Sequence, residues 1–572
     1  MSERRVSSEN GRCGSRPSSL KGKAAVVGDW NDATTHDLAG VLGDGTRERK
    51  NKATREVFGC EASTSTVGPR GSGRRPEMAE RSVVAWKPGN SGGAKGPQFK
   101  DSARRRDNRR LTMSLTPPTC VGKLQAALHG KAKGNPTYRF YLLYDKVYRM
   151  DVLLFAYQCC RANDGKPGVD GQTFGDIEKY GRRRWLEELA EDLRKKTYHP
   201  SPVRRVWIPK ADGKQRPLGI PTIRDRVVQM AAVVILEPIF EADLQPEQYA
   251  YRRQRGALDA VNAVTELLET GHTEVVDADL SGYFDTIPHA ELMKSVARRI
   301  SDGNLLHLIK MWLEAPVEET DEQGRRQRTT RNKDTGRGTP QGGVASPLLA
   351  NIYIRRFVLG WKQLGYAQKL KAVIVNYADD FVICTRRGRA KEAMRLMRGI
   401  MEKLRLTVNE GKTRICHLPS ESFDFLGYTF GTQYHPRTGA AYVGPRPSKK
   451  KIISQCQVVS QMTDPRACGQ DVEALVGKLN ARLRGWSNYF RVGTVVKAYE
   501  TVLNHARRRL RRWLCAKHKV RGSGWYRFSN AYLHGELGLF LFPGCAYYDP
   551  CAKTMRKPCP RAGCGKTARP VR

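Results

Sequence analysis

The chain has 572 residues, 14 scattered cysteines and a formal net charge of +43, because 100 Lys and Arg stand against 57 Asp and Glu. A charge of this size favours a polyanionic partner, and the cysteine pattern is typical of a reducing, cytoplasmic protein rather than of a disulfide scaffold. The longest wholly apolar runs are too short to cross a bilayer and the first residues (MSERRVSSENG) lack the apolar region of a signal peptide, so we expect nucleic-acid binding and no membrane segment.

Residues 1–112 are predicted to be a disordered basic extension, since they are rich in Gly, Ser, Arg and Pro and show no sustained hydrophobic period. Stretches such as GPRGSGRRPE and SARRRDNRR cannot bury enough apolar surface to offset the entropy that folding costs. The extension could tether RNA, be a basic tail without function, or be an artefact of the start site, since Met78 and Met113 both precede plausible true beginnings.

Order is expected from about Leu124 onwards. Apolar residues between Tyr138 and Tyr157 have roughly helical spacing, residues 224–244 predict an amphipathic helix, and the segment ALDAVNAVTELL (257–268) predicts another.

Between these helical stretches, residues 203–220 (VRRVWIPKADGKQRPLGI) predict a hairpin with its turn at residues 212–213. Lys210 and Arg216 flank the turn, where two cations could grip a triphosphate. Most basic hairpin tips are solvated surface, so this pair alone does not decide between the two interpretations.

Acidic residues follow two predicted strands. Asp279 lies near the end of the strand in EVVDADLSGYF (274–284), where it could cap the next helix or bind a metal ion. In AVIVNYADDFVIC (372–384), two runs rich in β-branched residues predict a hairpin with Asp379 and Asp380 at its turn. Adjacent carboxylates between apolar strands need compensation, for which Mg²⁺ is suited; an ordinary Asp-Asp turn is the alternative.

The segments around this hairpin predict further elements. Residues 338–354 give a glycine-rich turn leading into a helix, a turn that either admits a ligand close to the backbone or has no function. Residues 390–406 predict a helix, and FDFLGYTF (423–430) predicts a pair of strands.

From Ser448 the chain predicts a basic helical domain, with apolar residues on one face of the segments 472–486 and 499–514. No acidic residue occurs between Thr501 and Gly535, whereas a solvated helix face normally mixes charges. RNA binding is therefore favoured over a solvated surface without function. The arginines would contact phosphates, and the aromatic rings would stack on bases. The predicted RNA-binding residues are Arg507, Arg508, Arg511, Arg512 and Trp513, with Trp525 and Tyr526 as further stacking rings.

The tail contains Cys545, Cys551, Cys559 and Cys564, but no two CxxC pairs. A structural zinc site is therefore left open rather than predicted.

Taken in order, these segments resemble a group II intron reverse transcriptase and maturase over roughly residues 123–527. The blocks that carry the resemblance are NDGKPGVDG (163–171), IPKADGKQRPLGIPT (208–222), DADLSGYFDTIPH (277–289), GTPQGGVASPLLANIY (338–353), YADD (377–380), LTVNEGKT (406–413), FDFLGYTF (423–430) and RGWSNYF (484–490). The resemblance implies an α+β right-hand polymerase, with fingers and palm over 113–447, an α-helical maturase and thumb domain over 448–530, and a short basic tail over 531–572.

The resemblance also implies a catalytic site. It implies that Asp279 and Asp379 hold two Mg²⁺ ions, that Asp380 takes a weaker part, and that the backbone carbonyl of Leu280 completes one shell.

Further residues of the resemblance concern the incoming nucleotide. Lys210 and Arg216 match residues that contact the triphosphate, and Phe284 matches the aromatic ring that disfavours a 2′-hydroxyl. Gln341 matches a residue near template and nucleotide, and Lys412 is similar to the basic residue proposed to protonate pyrophosphate.

The partners implied are group II intron RNA, an RNA template with a DNA primer, deoxynucleoside triphosphates and target DNA. Many relatives end in an HNH nuclease, and because the last histidine is His534, we expect none here. Two alternatives stay open: a maturase that only binds RNA, and a reverse transcriptase domesticated for host defence.

Overall fold

The computed structural model describes residues 115–209, 215–321, 323–435 and 438–545, all within one compact unit of the chain. The predicted N-terminal extension, Lys210, the turn at residues 212–213 and the cysteines at 551, 559 and 564 lie outside these ranges.

The described residues form three sheets. The hairpin sheet has the order β2-β1-β4-β5, the acidic sheet β6-β7-β3-β8, and the C-terminal sheet β11-β10-β9; neighbouring strands are antiparallel except β1 and β4. The strands are β1 (Val203–Pro209), β2 (Gln215–Ile220), β3 (Glu274–Asp279), β4 (Val317–Thr320), β5 (Arg326–Thr329), β6 (Ala372–Tyr377), β7 (Asp380–Thr385), β8 (Arg414–His417), β9 (Phe423–Phe425), β10 (Tyr428–Tyr434) and β11 (Ala441–Pro447).

Helices cover both faces of the acidic sheet and make up the C-terminal part. They are α1 (Thr119–Gly134), α2 (Tyr144–Val147), α3 (Met150–Ala162), α4 (Phe174–Tyr180), α5 (Arg182–Lys195), α6 (Ile223–Glu241), α7 (Ala257–Glu269), α8 (Tyr283–Thr286), α9 (His289–Ala297), α10 (Gly303–Glu314), α11 (Arg331–Thr335), α12 (Ser346–Gln363), α13 (Tyr366–Lys369), α14 (Ala390–Lys403), α15 (Lys449–Met462), α16 (Val472–Tyr489) and α17 (Val496–Lys517).

The acidic sheet is apolar on both faces, which explains its near-continuous β-branched runs. On β3, Val276 packs into a core shared with α3, α6 and α12, whereas Val275 packs into a second core shared with α7, α16 and α17. On β7, Ile383 and Val382 divide between the same two cores. Because side chains alternate along a strand, the residues in register with Val275 and Val382 face the second core.

Two helix predictions need correction. Helix α6 was predicted to be amphipathic, but it is buried almost all round between α1, α3 and α12, so both of its faces are apolar. The helical spacing over 138–157 does not give one helix, because residues 138–143 are not helical and α2 and α3 are separate helices. Phe140 pairs with Ile300 there, and the carboxylate of Asp302 accepts hydrogen bonds from the backbone of Leu143 and Tyr144.

The C-terminal helices confirm the predicted helical segments, and the hydroxyl of Ser448 caps the first of them by accepting a hydrogen bond from the backbone of Lys451. Their apolar faces do not form a separate core. Leu479 and Trp486 of α16 belong to the same cluster as Val261 of α7. No helix among the described residues has the length and apolarity to span a bilayer.

Candidate active site

Asp279 and Asp380 lie directly opposite each other in the acidic sheet, as register partners of the antiparallel strands β3 and β7. Side chains opposite each other in such a pair point to the same face, about 4.5–5.5 Å apart at their Cβ atoms. Asp277, two residues before Asp279, lies on that face as well. The structure therefore brings together two carboxylates that are far apart in the chain.

Asp379 is placed by the turn of the predicted hairpin, which the structure confirms. Tyr377 pairs with Asp380, so Ala378 and Asp379 form the two-residue connection. Ala378 has a left-handed φ of 58°, and the Nδ2 of Asn376 donates a hydrogen bond to its carbonyl oxygen at 2.9 Å. These features fix a tight turn at the end of β6 and β7.

The carboxylates repel one another and are half-buried. Burial, followed by the charges of Asp379, Asp279 and Asp277, raises the pKa of Asp380 to about 7. Burial also raises the pKa of Asp379, although the charges of Arg216 and Lys412 oppose the rise. These shifts identify a site that favours added positive charge.

Asp279 already has cationic and polar partners. The Nζ atom of Lys412 lies 2.9 Å from Oδ2 of Asp279, and the Nδ2 of Asn409 donates to the same oxygen at 3.0 Å. Among the described residues, no group of three acidic, His or Cys side chains is arranged so that it could bind a metal ion. The donor set nevertheless suits Mg²⁺, because carboxylates share one face and Lys412, whose side chain is 68% exposed, can move away.

The residues that were predicted to bind the nucleotide approach this site from the hairpin sheet. Arg216 lies close enough for its charge to lower the pKa of Asp379 and that of the neighbouring Tyr251. The pKa of Tyr251 is nevertheless raised, mainly by burial and then by the charge of Asp379. The Nε of Arg216 donates to Oε1 of Gln341 at 3.2 Å, and the Nε2 of Gln341 donates to Oδ2 of Asp285 at 2.7 Å. Arg216 and Gln341, predicted from separate blocks, are thus in direct contact.

Phe284 and Leu280 frame the same region. Phe284 is 7% exposed, and its ring packs edge-on against Tyr251 at 6.4 Å between centroids. Leu280 has a buried side chain and pairs through its backbone with Val408.

An open cavity of about 730 Å³ lies against the carboxylate face. Its walls combine the acidic residues Asp277, Asp279, Asp380 and Asp424 with the cations Lys412, Lys451 and Arg482 and with aromatic rings such as Tyr377, Trp486 and Tyr489. Two of these rings come from α16, so the acidic sheet and the C-terminal helices build this cavity jointly.

Several residues at this site were not among those predicted from the sequence. Asp277 carried a signal, because the alternation of a strand places it beside Asp279; burial and then Asp424 raise its pKa to about 6, against the charge of Arg414. Asn409 and Asp285 lie inside the recognised blocks LTVNEGKT and DADLSGYFDTIPH. Tyr251 gave no local signal, and it has a left-handed φ of 55°.

The predicted RNA-binding set on α17 needs correction, because three of its members are core residues. Trp513 is 0% exposed, and its ring cannot stack on a base in this conformation. Arg507 donates to Nε2 of His534 at 2.9 Å, and Arg511 donates to the carbonyl of Phe528 at 2.8 Å; both are buried.

The other members of that set face solvent. Arg508 and Arg512 are exposed, and Tyr526 is 92% exposed on the loop that follows α17. Their contact with RNA remains a prediction.

Comparison with known proteins finds two family matches. Residues 208–430 match the model described as reverse transcriptase (RNA-dependent DNA polymerase), and residues 456–532 match the group II intron, maturase-specific domain.

Individual proteins are also similar to this chain. The chain is 34% identical over 344 residues to Protein YkfC of Escherichia coli, covering 54% of this chain and 87% of that protein. It is 30% identical over 391 residues to the group II intron-encoded protein LtrA of Lactococcus lactis, covering 57% of this chain and 62% of LtrA, so it spans less than two thirds of that relative. A telomerase structure from Candida albicans aligns with a TM-score of 0.34 at 12% identity, over 62% of this chain and 68% of that one.

Proposed function

This chain belongs to the reverse transcriptases that carry a group II intron maturase domain, and from that premise we propose that it copies RNA into cDNA at the carboxylate face of the acidic sheet and helps its intron RNA to splice and to move into target DNA. The observation that carries the proposal is the register of Asp279 opposite Asp380, with Asp379 on the adjoining turn. In a right-hand description, the acidic sheet is the palm, the hairpin sheet belongs to the fingers, and α15 to α17 form the thumb.

In this proposal Asp279, Asp379 and, more weakly, Asp380 would hold two Mg²⁺ ions, and the backbone carbonyl of Leu280 would be a further ligand. When bound, the ions would acidify the 3′-hydroxyl of the primer and offset the charge of the leaving pyrophosphate. Nucleotide addition is in-line phosphoryl transfer, in which a protein mainly positions reactants and stabilises charge.

The remaining predicted residues have binding and proton-transfer roles. Arg216, with Lys210, holds the triphosphate, and Gln341 orients Arg216 beside it. Phe284 closes the space below the sugar and so selects deoxynucleotides. Lys412, which pairs with Asp279 in the free protein, moves to the pyrophosphate and gives it a proton.

A primer-extension assay tests the proposal. Purified protein, an RNA template with a DNA primer, the four deoxynucleoside triphosphates and Mg²⁺ are expected to yield cDNA, and Asp279→Asn and Asp379→Asn are expected to abolish it while RNA binding persists. Because the substitutions keep side-chain size, loss of cDNA would report on charge and ligation rather than on packing.

The same assay separates the main alternative. A wild-type protein that binds intron RNA and promotes its splicing, yet makes no cDNA under any divalent metal, would leave an RNA-binding maturase without polymerase activity.

A further inference from the structure

Three side chains form a continuous hydrogen-bonded chain between α8 and the hairpin sheet. Asp285 of α8 accepts from Nε2 of Gln341 at 2.7 Å, and Oε1 of Gln341 accepts from Nε of Arg216 on β2 at 3.2 Å. Both ends of the Gln341 amide are therefore used. Bonding through Nε leaves the N–H groups on both Nη atoms of Arg216 for other acceptors, such as phosphate oxygens.

The backbone around Gln341 is fixed from both sides. Toward α8, the backbone N–H of Thr339 donates to the carbonyl of Phe284 at 2.7 Å, and that of Gly338 donates to the carbonyl of Ile287 at 2.9 Å. These two bonds hold the loop 338–343 against the turn that contains Asp285.

On the other side, the same loop is fixed to β2. The backbone N–H of Gly219 donates to the carbonyl of Gln341 at 2.6 Å. A Cβ atom at Gly342 would lie 2.2 Å from the carbonyl oxygen of Gly219, so the two backbones approach too closely for any other residue. With the backbone held, only the side-chain torsions of Gln341 can vary, and the last of them decides which end of the amide faces Arg216.

The chemistry of Asp285 decides that orientation. An ionised carboxylate only accepts hydrogen bonds, so it selects the NH₂ end of the amide and turns the oxygen toward Arg216. Partial burial raises the pKa of Asp285. The charge of Arg205, the hydrogen bond from Gln341 and the charge of Arg216 act in the opposite direction and favour the anion. With the amide reversed, its N–H groups would face the N–H of the guanidinium, and two donors do not bond.

We propose that Asp285 is a positioning residue for the incoming nucleotide: it sets the amide of Gln341 so that Arg216 is held with its Nη groups directed at the triphosphate. This inference rests on the proposed function. It concerns affinity for the nucleotide, since Asp285 itself touches neither the reacting atoms nor the primer in this role.

The test is steady-state primer extension at saturating primer and template, with the Michaelis constant for the nucleotide and kcat measured separately. In Asp285→Asn, residue 285 can donate as well as accept, so the amide of Gln341 is no longer set. We expect the KM for the nucleotide to rise about tenfold, kcat to change less than threefold, and the affinity for primer and template to stay unchanged.

A polarity swap makes the test specific. In the double variant Asp285→Asn with Gln341→Glu, the amide and the carboxylate exchange places, so residue 285 donates to residue 341, which still accepts from Arg216. We expect KM to recover most of the tenfold loss. Gln341→Glu alone faces Asp285 with a second carboxylate, and we expect its KM to be at least as poor as that of Asp285→Asn. Asp176→Asn, which changes an exposed aspartate that bonds Thr173, is the matched control and is expected to match the wild type.

Each other outcome has a definite meaning. An unchanged KM in Asp285→Asn would overturn the inference, as would a double variant no better than the single one. A lost melting transition, or equal losses in kcat and in primer affinity, would overturn it too by making Asp285 a residue of general stability. A wild-type protein that extends no primer would instead refute the proposed function.

Discussion

Lys412 forms an ion pair with Asp279, the Nζ atom lying 2.9 Å from Oδ2, at the end of the strand where a metal-binding carboxylate is proposed. The lysine neutralises one of the carboxylates that crowd this face, whereas the pKa values of Asp379 and Asp380 stay raised. The pair also makes Lys412 and a divalent ion competitors for the same oxygen.

Removal of Lys412 is therefore expected to strengthen metal binding and to weaken catalysis. In Lys412→Gln the apparent Kd for Mn²⁺ should fall severalfold, because no ammonium group has to leave Asp279, whereas kcat should drop about 10²-fold if the lysine protonates pyrophosphate. Titration calorimetry and primer extension measure the two effects. Lys403→Gln, at the exposed end of α14, is the control, and weaker metal binding in Lys412→Gln would contradict the competition.

The pKa of Asp380 predicts a pH-dependent stability in metal-free protein. Burial and neighbouring carboxylates raise this pKa to about 7, so between about pH 4 and pH 7 the folded state binds more protons than the unfolded state, and the free energy of unfolding falls as pH rises. Asp380→Asn removes this contribution. Its advantage over the wild type should grow across that window to on the order of 1–2 kcal/mol.

Denaturant unfolding in EDTA at several pH values measures that difference. Added Mg²⁺ should shrink it, since the ion stabilises only the wild-type carboxylate set. A constant difference across pH would show that Asp380 titrates in its ordinary range.

Contact between the loop 338–343 and β2 should be essential for nucleotide affinity. In Gly342→Ala the new Cβ would lie 2.2 Å from the carbonyl oxygen of Gly219, and φ is +110°, so the hairpin sheet must move away. We expect the KM for nucleotides to rise at least tenfold. Gly399→Ala, in a helix with open space around it, should leave activity unchanged and stabilise α14 by about 0.5–1 kcal/mol.

Phe284 should control sugar selection. Phe284→Ala opens space beside Tyr251, so the ratio of kcat/KM for ribonucleotides to that for deoxynucleotides should rise about 10²-fold. Single-nucleotide incorporation assays measure this ratio, and Phe284→Tyr should retain the discrimination of the wild type. Retained discrimination in the alanine variant would assign the selection to another residue.

Arginines of α17 should divide by exposure. Arg508→Gln with Arg512→Gln should weaken RNA binding and lower the slope of log affinity against log salt by about 1–2, because two phosphate contacts are lost, with an unchanged Tm. Arg511→Gln should instead lower Tm, since it leaves Phe528 and Asn530 without their buried donor. Filter binding across ionic strengths and thermal melting distinguish the two classes.

Local patterns predicted much of the fold and part of the site. The β-branched runs on either side of Asp379 and Asp380 predicted the hairpin, because strand preference and turn position are local properties. They could not decide whether Asp279 caps a helix or joins the other carboxylates, since the pairing of β3 with β7 is a long-range contact. The register decides it in favour of the shared face.

On α17 the apolar periodicity predicts the burial of Trp513 better than the basic composition does. Trp513 follows Leu510 by three residues and so lies on the apolar face, which outweighs the basic composition around it. The burial of Arg511 could not be predicted, because its acceptors, Phe528 and Asn530, are supplied by the loop beyond the helix.

The core that joins α7 and the acidic sheet to α16 and α17 has a consequence for ancestry and engineering. The two family matches cover residues 208–430 and 456–532, yet Val382 and Phe430 of the first region pack in one cluster with Leu479 and Trp486 of the second. A fragment cut between the two regions would expose an apolar, aggregation-prone surface. A chimera that takes the helices α16 and α17 from a relative would also need the residues that pack against them. Core substitutions in one region must therefore preserve the packing of the other.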